Sequence, residues 1–132
     1  MGMLQTLATR LSSLRLVSRE DADYEARRKI YNSAVDKKPL AIVVAKSADE
    51  VAAVVRFASY HGADITIRAG GHDLFGRCLV EDAIVIDIRA LNEVQVDKHA
   101  GTAKVGGGVL SLHLSKALAE HGCITPCPNI AT

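Results

Sequence analysis

Ile65-Thr66-Ile67-Arg68-Ala69-Gly70-Gly71-His72-Asp73-Leu74-Phe75-Gly76 is the stretch whose reading decides the fold. Ile65 to Ile67 alternate as a strand does, and Gly70 and Gly71 then open backbone conformations closed to other residues. A loop of this kind can turn successive amide N–H groups toward an anion without any cationic side chain. Arg68 at its rim would add to the attraction, and His72 would stand beside a bound phosphate compound. The same residues also suit a plain turn. They match neither the G-x-G-x-x-G of nicotinamide-binding folds nor the G-x-x-x-x-G-K-[ST] of P-loop proteins.

Before the loop, Leu40 to Ala45 is a short apolar run fit for a buried strand. Ser47-Ala48-Asp49-Glu50 follows as a capping box, predicting a helix with Val51, Val54, Val55 and Ala58 on one face and Gly62 as its stop. Strand, helix and strand thus make a β-α-β unit with parallel strands, and the loop leaves the carboxyl end of its second strand, where α/β sheets bind ligands. Further upstream, Ser18 to Asp21 reads as the start of a helix running to about Asn32, acidic first and basic last. Met1 to Leu16 carries leucines at 4, 7, 11 and 14, the spacing of one helix face. That segment lacks the compact apolar block of a secretory leader and reads as a docking helix or tail.

After the loop, Ala83 to Ile88 is a second buried strand, and Val94 to Asp97 with Thr102 to Val105 form a hairpin turned by Lys98 to Gly101. Gly106-Gly107-Gly108 reads either as a flexible turn or as a second place where backbone passes close to a flat ligand. A helix over about 109–121 places Leu110, Leu114, Ala117 and Leu118 on one face, with Gly122 as its stop. The last segment is irregular and ends without a stop signal.

The chain of 132 residues has room for one domain, and 48% hydrophobic with 23% charged residues excludes disorder. A net charge of +1 and 4% aromatics leave neither basic stripe nor stacking platform, so nucleic acid is not expected. No apolar run is long enough for a membrane span. Cys78, Cys123 and Cys127 are an odd set, which points to reduced thiols in a cytoplasmic protein; no second ligand pair joins Cys123 and Cys127, so no metal is expected. His61 and His121 precede helix-ending glycines, His99 lies in a turn, and His113 falls on an exposed helix face. Asp87 reads as a structural partner within a buried strand.

In order and spacing, these segments resemble the flavin-binding half of the vanillyl-alcohol-oxidase superfamily, and within it the berberine-bridge-enzyme-like oxidoreductases. The residues that carry the resemblance are Asp23-Tyr24, Arg27-Arg28, Tyr31-Asn32, Pro39 to Val43, Ser47 to Val51, Ile67 to Asp73 with Gly76, Ile84 to Arg89, Ala103 to Gly108, His121-Gly122 and Thr125-Pro126. The resemblance implies an α+β fold in which residues 1–20 are an N-terminal helix or tail. Residues 21–132 would be the amino-terminal part of a PCMH-type FAD-binding domain, incomplete at its C-terminal end.

It further implies FAD, with the pyrophosphate on the amides of Ala69, Gly70, Gly71, His72 and Asp73, and with Arg68 and Gly76 completing the cofactor-binding set. His72 occupies the position whose ring nitrogen commonly bonds the 8α-methyl of the flavin in this family, a chemistry suited to neutral imidazole. A second tether through a cysteine is not expected, because Ile130 falls at that position and Cys127 three residues too early. Complete members pass a hydride from an alcohol, sugar or amine-type substrate to flavin N5, with the catalytic base supplied outside this stretch. The chain is expected to be the cofactor-binding part of such an oxidase or dehydrogenase. The alternatives are a truncated non-catalytic binding module, or one subunit of a split flavoenzyme that self-associates or pairs with a completing chain.

Overall fold

The computed structural model describes residues 2–126. Its main sheet has four strands, β1 (Arg15–Ser18), β2 (Ala41–Val44), β3 (Ile65–Arg68) and β4 (Ile84–Asp87), in the order β1-β2-β4-β3. β2 and β3 both run parallel to β4, while β1 pairs antiparallel with β2 at one edge. The expected β-α-β unit is present, but its two strands are not neighbours. The later strand β4 inserts between them, so the crossover helix α3 (Ala48–His61) spans one strand position more than local reading gives.

Burial explains why β2 and β4 read as continuous apolar runs. Ala41, Val43, Ile84 and Ile86 pack on one face against Leu7 of α1 (Met3–Arg10) and Val54 and Phe57 of α3. Ile42 and Val85 pack on the other against Val17, Tyr24 and Leu79. With period two along each strand and both faces covered, every position must be apolar. Each fully buried aliphatic side chain contributes about 1.5–3 kcal/mol relative to exposure.

The capping box forms at α3. Ser47 Oγ accepts from the Glu50 N–H at 3.2 Å, and Glu50 Oε2 accepts from the Lys46 N–H at 2.6 Å, one residue earlier than the usual reciprocal bond. Gly62 closes the helix in the left-handed region. Val54 and Ala58 turn inward as expected, joined by Phe57, whereas Val55 turns outward.

The long helix expected from Ser18 is replaced by β1 and by the five-residue helix α2 (Tyr24–Arg28). Ser18 and Asp21 do bond, but in the opposite sense to a helix cap: the Ser18 N–H and hydroxyl both donate to Asp21 Oδ2, at 2.7 and 2.8 Å. They close a turn that ends the strand. Tyr24 anchors α2 by donating its hydroxyl to Pro39 O at 2.6 Å.

The hairpin β5 (Val94–Asp97) and β6 (Thr102–Val105) forms a separate two-stranded sheet, followed by α4 (Ser111–Ala119). Gly106 and Gly108 are required there by the chain's own backbone. A Cβ on Gly106 would sit 2.2 Å from Leu91 O, and one on Gly108 2.0 Å from Ile88 O. Their N–H groups donate to Glu93 O at 2.8 Å and Leu91 O at 3.0 Å. This stretch, read as a flexible turn or as a close pass to a flat ligand, passes close to residues 88–93.

Candidate functional site: the loop after β3

The loop leaves the carboxyl end of β3, where the parallel strands β2, β4 and β3 end together. Ile88 N–H donates to Arg68 O at 3.0 Å, and after that bond the chain departs from the sheet. Its other wall is a segment that no local motif marks as part of a site, residues 27–35. Tyr31 N–H donates to Gly71 O at 3.0 Å, and the Asn32 amide donates to Leu74 O at 2.7 Å. Gly76 lies against Val35 with φ +62, where a Cβ would come within 2.6 Å of Val35 Cγ1. A side chain at Gly76 would force these two walls apart.

Arg68 helps to hold that wall. It is 6% exposed, not placed at the rim, and its guanidinium donates to Arg27 O and, at 2.6 Å, to Lys29 O. Burial pushes its pKa below the usual guanidinium value, with the Arg89 charge acting the same way. The expected position of Arg68 at the rim of the loop is thereby corrected. Its Nη1 and Nη2 donate to the carbonyl end of α2, where they complete a short helix, while its Nε is buried without a hydrogen-bond partner.

Asp73 works locally too. Its carboxylate accepts from Arg77 N–H at 2.6 Å, from the Arg77 guanidinium at 3.0 and 3.1 Å, and from Phe75 N–H at 3.4 Å. The Arg77 side chain, then its backbone N–H, hold the Asp73 carboxyl at about 2. The turn is fixed and the charge of Asp73 is matched beside the loop.

What remains unspent is the backbone. Among the described residues, the N–H groups of residues 69–74 donate to no partner. Six successive free donors around two glycines are the composition that an anion-binding concavity requires. His72 stands among them, its ring tilted 48° to that of Tyr31 with centroids 5.3 Å apart. Tyr31, beside the histidine, is 63% exposed, and Leu74 and Phe75 further along the loop are also exposed.

The remaining titratable groups have structural employment. Asp87 is 1% exposed; burial pushes its carboxyl up, but bonds from Arg89 outweigh this and hold it below the ordinary value. Arg89 Nε and Nη2 reach it at 2.9 and 2.5 Å. His61 packs on Phe57 and Tyr60, and His99 N–H bonds Asp97 in the hairpin turn. Cys78 is half-buried, and burial pushes its thiol up. Cys127 and Ile130 lie outside the described residues. Among the described residues no cluster of three or more His, Cys, Asp or Glu could hold a metal ion, and no helix is long and apolar enough to cross a membrane.

Comparison with known proteins finds relatives for most of the chain. A family model described as FAD binding domain matches residues 39–131. The FAD-linked oxidoreductase aurO of Gibberella zeae is 35% identical over 122 residues, 92% of this chain and 24% of that protein. The (R)-6-hydroxynicotine oxidase of Paenarthrobacter nicotinovorans is 34% identical over 121 residues, 91% of this chain and 26% of that protein. Among solved structures, wild-type BBE-like 1 of Physcomitrella patens superposes with a TM-score of 0.83 at 27% identity, over 92% of this chain and 26% of that one. The chain spans about a quarter of the length of the curated relatives it matches.

Proposed function

This chain belongs to the FAD-binding domain family, and from that premise we propose that it is the amino-terminal, cofactor-holding part of a flavin-dependent oxidoreductase with FAD covalently attached at His72. The observation that carries the proposal is the run of unspent N–H groups at residues 69–74 surrounding His72. These donors fit a pyrophosphate, and the absence of side chains at Gly70 and Gly71 fits its close approach. Gly76 and the buried Arg68 hold the loop against residues 27–35, so they bind the cofactor by shaping its seat. When bound, FAD supplies two-electron chemistry, accepting a hydride from an alcohol, sugar or amine-type substrate in the complete protein. The base for that substrate lies beyond this chain. The free Cys78 and Cys123 accord with a reducing, cytoplasmic setting.

A second reading rests on a separate observation. Among the described residues β5 and β6 form a sheet of two strands, and Val105, Leu110, Leu112 and Ile124 are exposed. Val96, Ala103, Leu114 and Leu118 line a depression of about 410 Å³ alongside. An isolated pair of strands is marginal in water, and such an apolar surface fits association with further protein, as in a split flavoenzyme.

An intact mass under denaturing conditions, with peptide mapping across 69–77, tests the proposal. One FAD on the peptide carrying His72 is expected, and its loss in His72→Ala. Retention of the adduct in that variant would refute the attachment site.

A further inference from the structure

The hollow between the end of α1 and the last turns of α3 holds side chains that the cofactor reading leaves unused, and from them we propose a second ligand site, one that takes an aromatic carboxylate. Arg10, Leu11, Arg56, Phe57, Tyr60 and His61 line a depression of about 450 Å³ there. It lies toward the amino end of β3, whereas the loop at residues 69–74 leaves the carboxyl end of the same strand. The inference therefore does not depend on flavin binding.

Arg10 and Arg56 stand apart by what they do not bond. Every other arginine in the chain donates to a carboxylate or a backbone carbonyl. Among the described residues Arg10 and Arg56 meet neither, and neither guanidinium lies over an aromatic ring. Both are exposed, and both line this one hollow, which contains no Asp or Glu. α1 ends at Arg10 and α3 at His61, so two helix C-termini also meet here, each equivalent to about half a negative charge. Two guanidiniums exceed that by about one unit of positive charge, so the hollow favours an anion.

The rest of the lining is a chain of rings. Phe57 is its most buried member, and His61 lies against it with centroids 4.3 Å apart. Tyr60 meets His61 edge-on at 4.9 Å and 81°, yet is 85% exposed. Residues 56, 57, 60 and 61 share one face of α3 because the helix repeats every 3.6 residues, which sets Arg56 beside the rings. A guanidinium fork matches a carboxylate through two parallel N–H···O bonds, and aromatic rings attract a further ring edge-to-face or offset. An aromatic carboxylate uses both halves of the hollow. A simple anion uses only the arginines, and an uncharged arene only the rings.

The test is an amide NMR titration of the ¹⁵N-labelled chain with 2-naphthoate and, in parallel, with 2-naphthylmethanol and with acetate. Saturable shifts at residues 10–11 and 56–62 are expected, with 2-naphthoate binding about tenfold or more tighter than either partial mimic. Arg10→Gln and Arg56→Gln should each weaken it about fivefold or more, and Tyr60→Ala by a similar factor, whereas Arg56→Lys, which keeps the charge without the fork, should fall between. These side chains are exposed, so the variants should unfold close to the urea midpoint of the parent chain, which separates lost binding from lost folding. Equal affinity for the alcohol or for acetate overturns the inference, as do shifts confined to 69–74 or unchanged affinity in the double variant Arg10→Gln/Arg56→Gln. Absence of saturation below about 10 mM overturns it as well.

Discussion

Residues 69–76 and residues 106–108 are both glycine-rich, and both follow a strand, yet they serve opposite ends. In the second, the N–H groups of Gly106 and Gly108 are bonded and the missing side chains make room for the backbone at Leu91 and Ile88. In the first, the N–H groups of residues 69–74 are unspent, and a Cβ on Gly70 would press on the side chains of His72 and Leu110. A glycine run shows only that something comes close. Which partner it is follows from where the backbone donors go.

The sharpest break of this comparison is Gly108→Ala. Its Cβ would meet a backbone oxygen at 2.0 Å, which cannot move aside as a side chain can. Destabilisation of about 3 kcal/mol or more is expected, read as a fall in the urea midpoint, with flavin content per folded molecule unchanged. Arg68→Met comes next: it leaves the carbonyls of Arg27 and Lys29 without their buried donor, costing about 2–3 kcal/mol and weakening flavin retention as the loop loses its wall. Gly76→Ala, with φ +62 and a Val35 side chain that can shift, should cost about 2 kcal/mol by the same denaturant measurement.

The smallest effect is a pH dependence. Asp73 titrates at about 2 in the folded chain, whereas an unstrained aspartate titrates at about 3.9. The unfolded chain takes up this proton first as pH falls, so the contribution of Asp73 is fully present above pH ~4 and is lost between there and about 2. Asp73→Asn should make the acid limb of a stability-against-pH curve shallower by lowering stability above pH ~4 while leaving it almost unchanged near pH 2.

These differences also mark what the sequence could reveal. The capping box at Ser47, the stop at Gly62, the hairpin and the buried runs of β2 and β4 follow from chemistry within a few residues, and they form as read. The insertion of β4 between β2 and β3 depends on pairing across the whole chain, which no local pattern encodes. Ser18 and Asp21 offered a helix start, but pairing of Arg15–Ser18 with β2 overrode it. Arg68 followed a strand and preceded two glycines, so it read as a rim charge; only the fold brings the end of α2 over it. Arg27-Arg28 and Tyr31-Asn32 formed part of the family resemblance, but the contact of this segment with the loop arises from tertiary structure alone.

The most direct test of the central claim is a backbone amide NMR titration of the ¹⁵N-labelled chain with FAD. The account predicts that the resonances of residues 69–74 shift together while those of Gly106, Gly107 and Gly108 stay in place. Shifts centred on 106–108, or bound flavin with no change at 69–74, would contradict it.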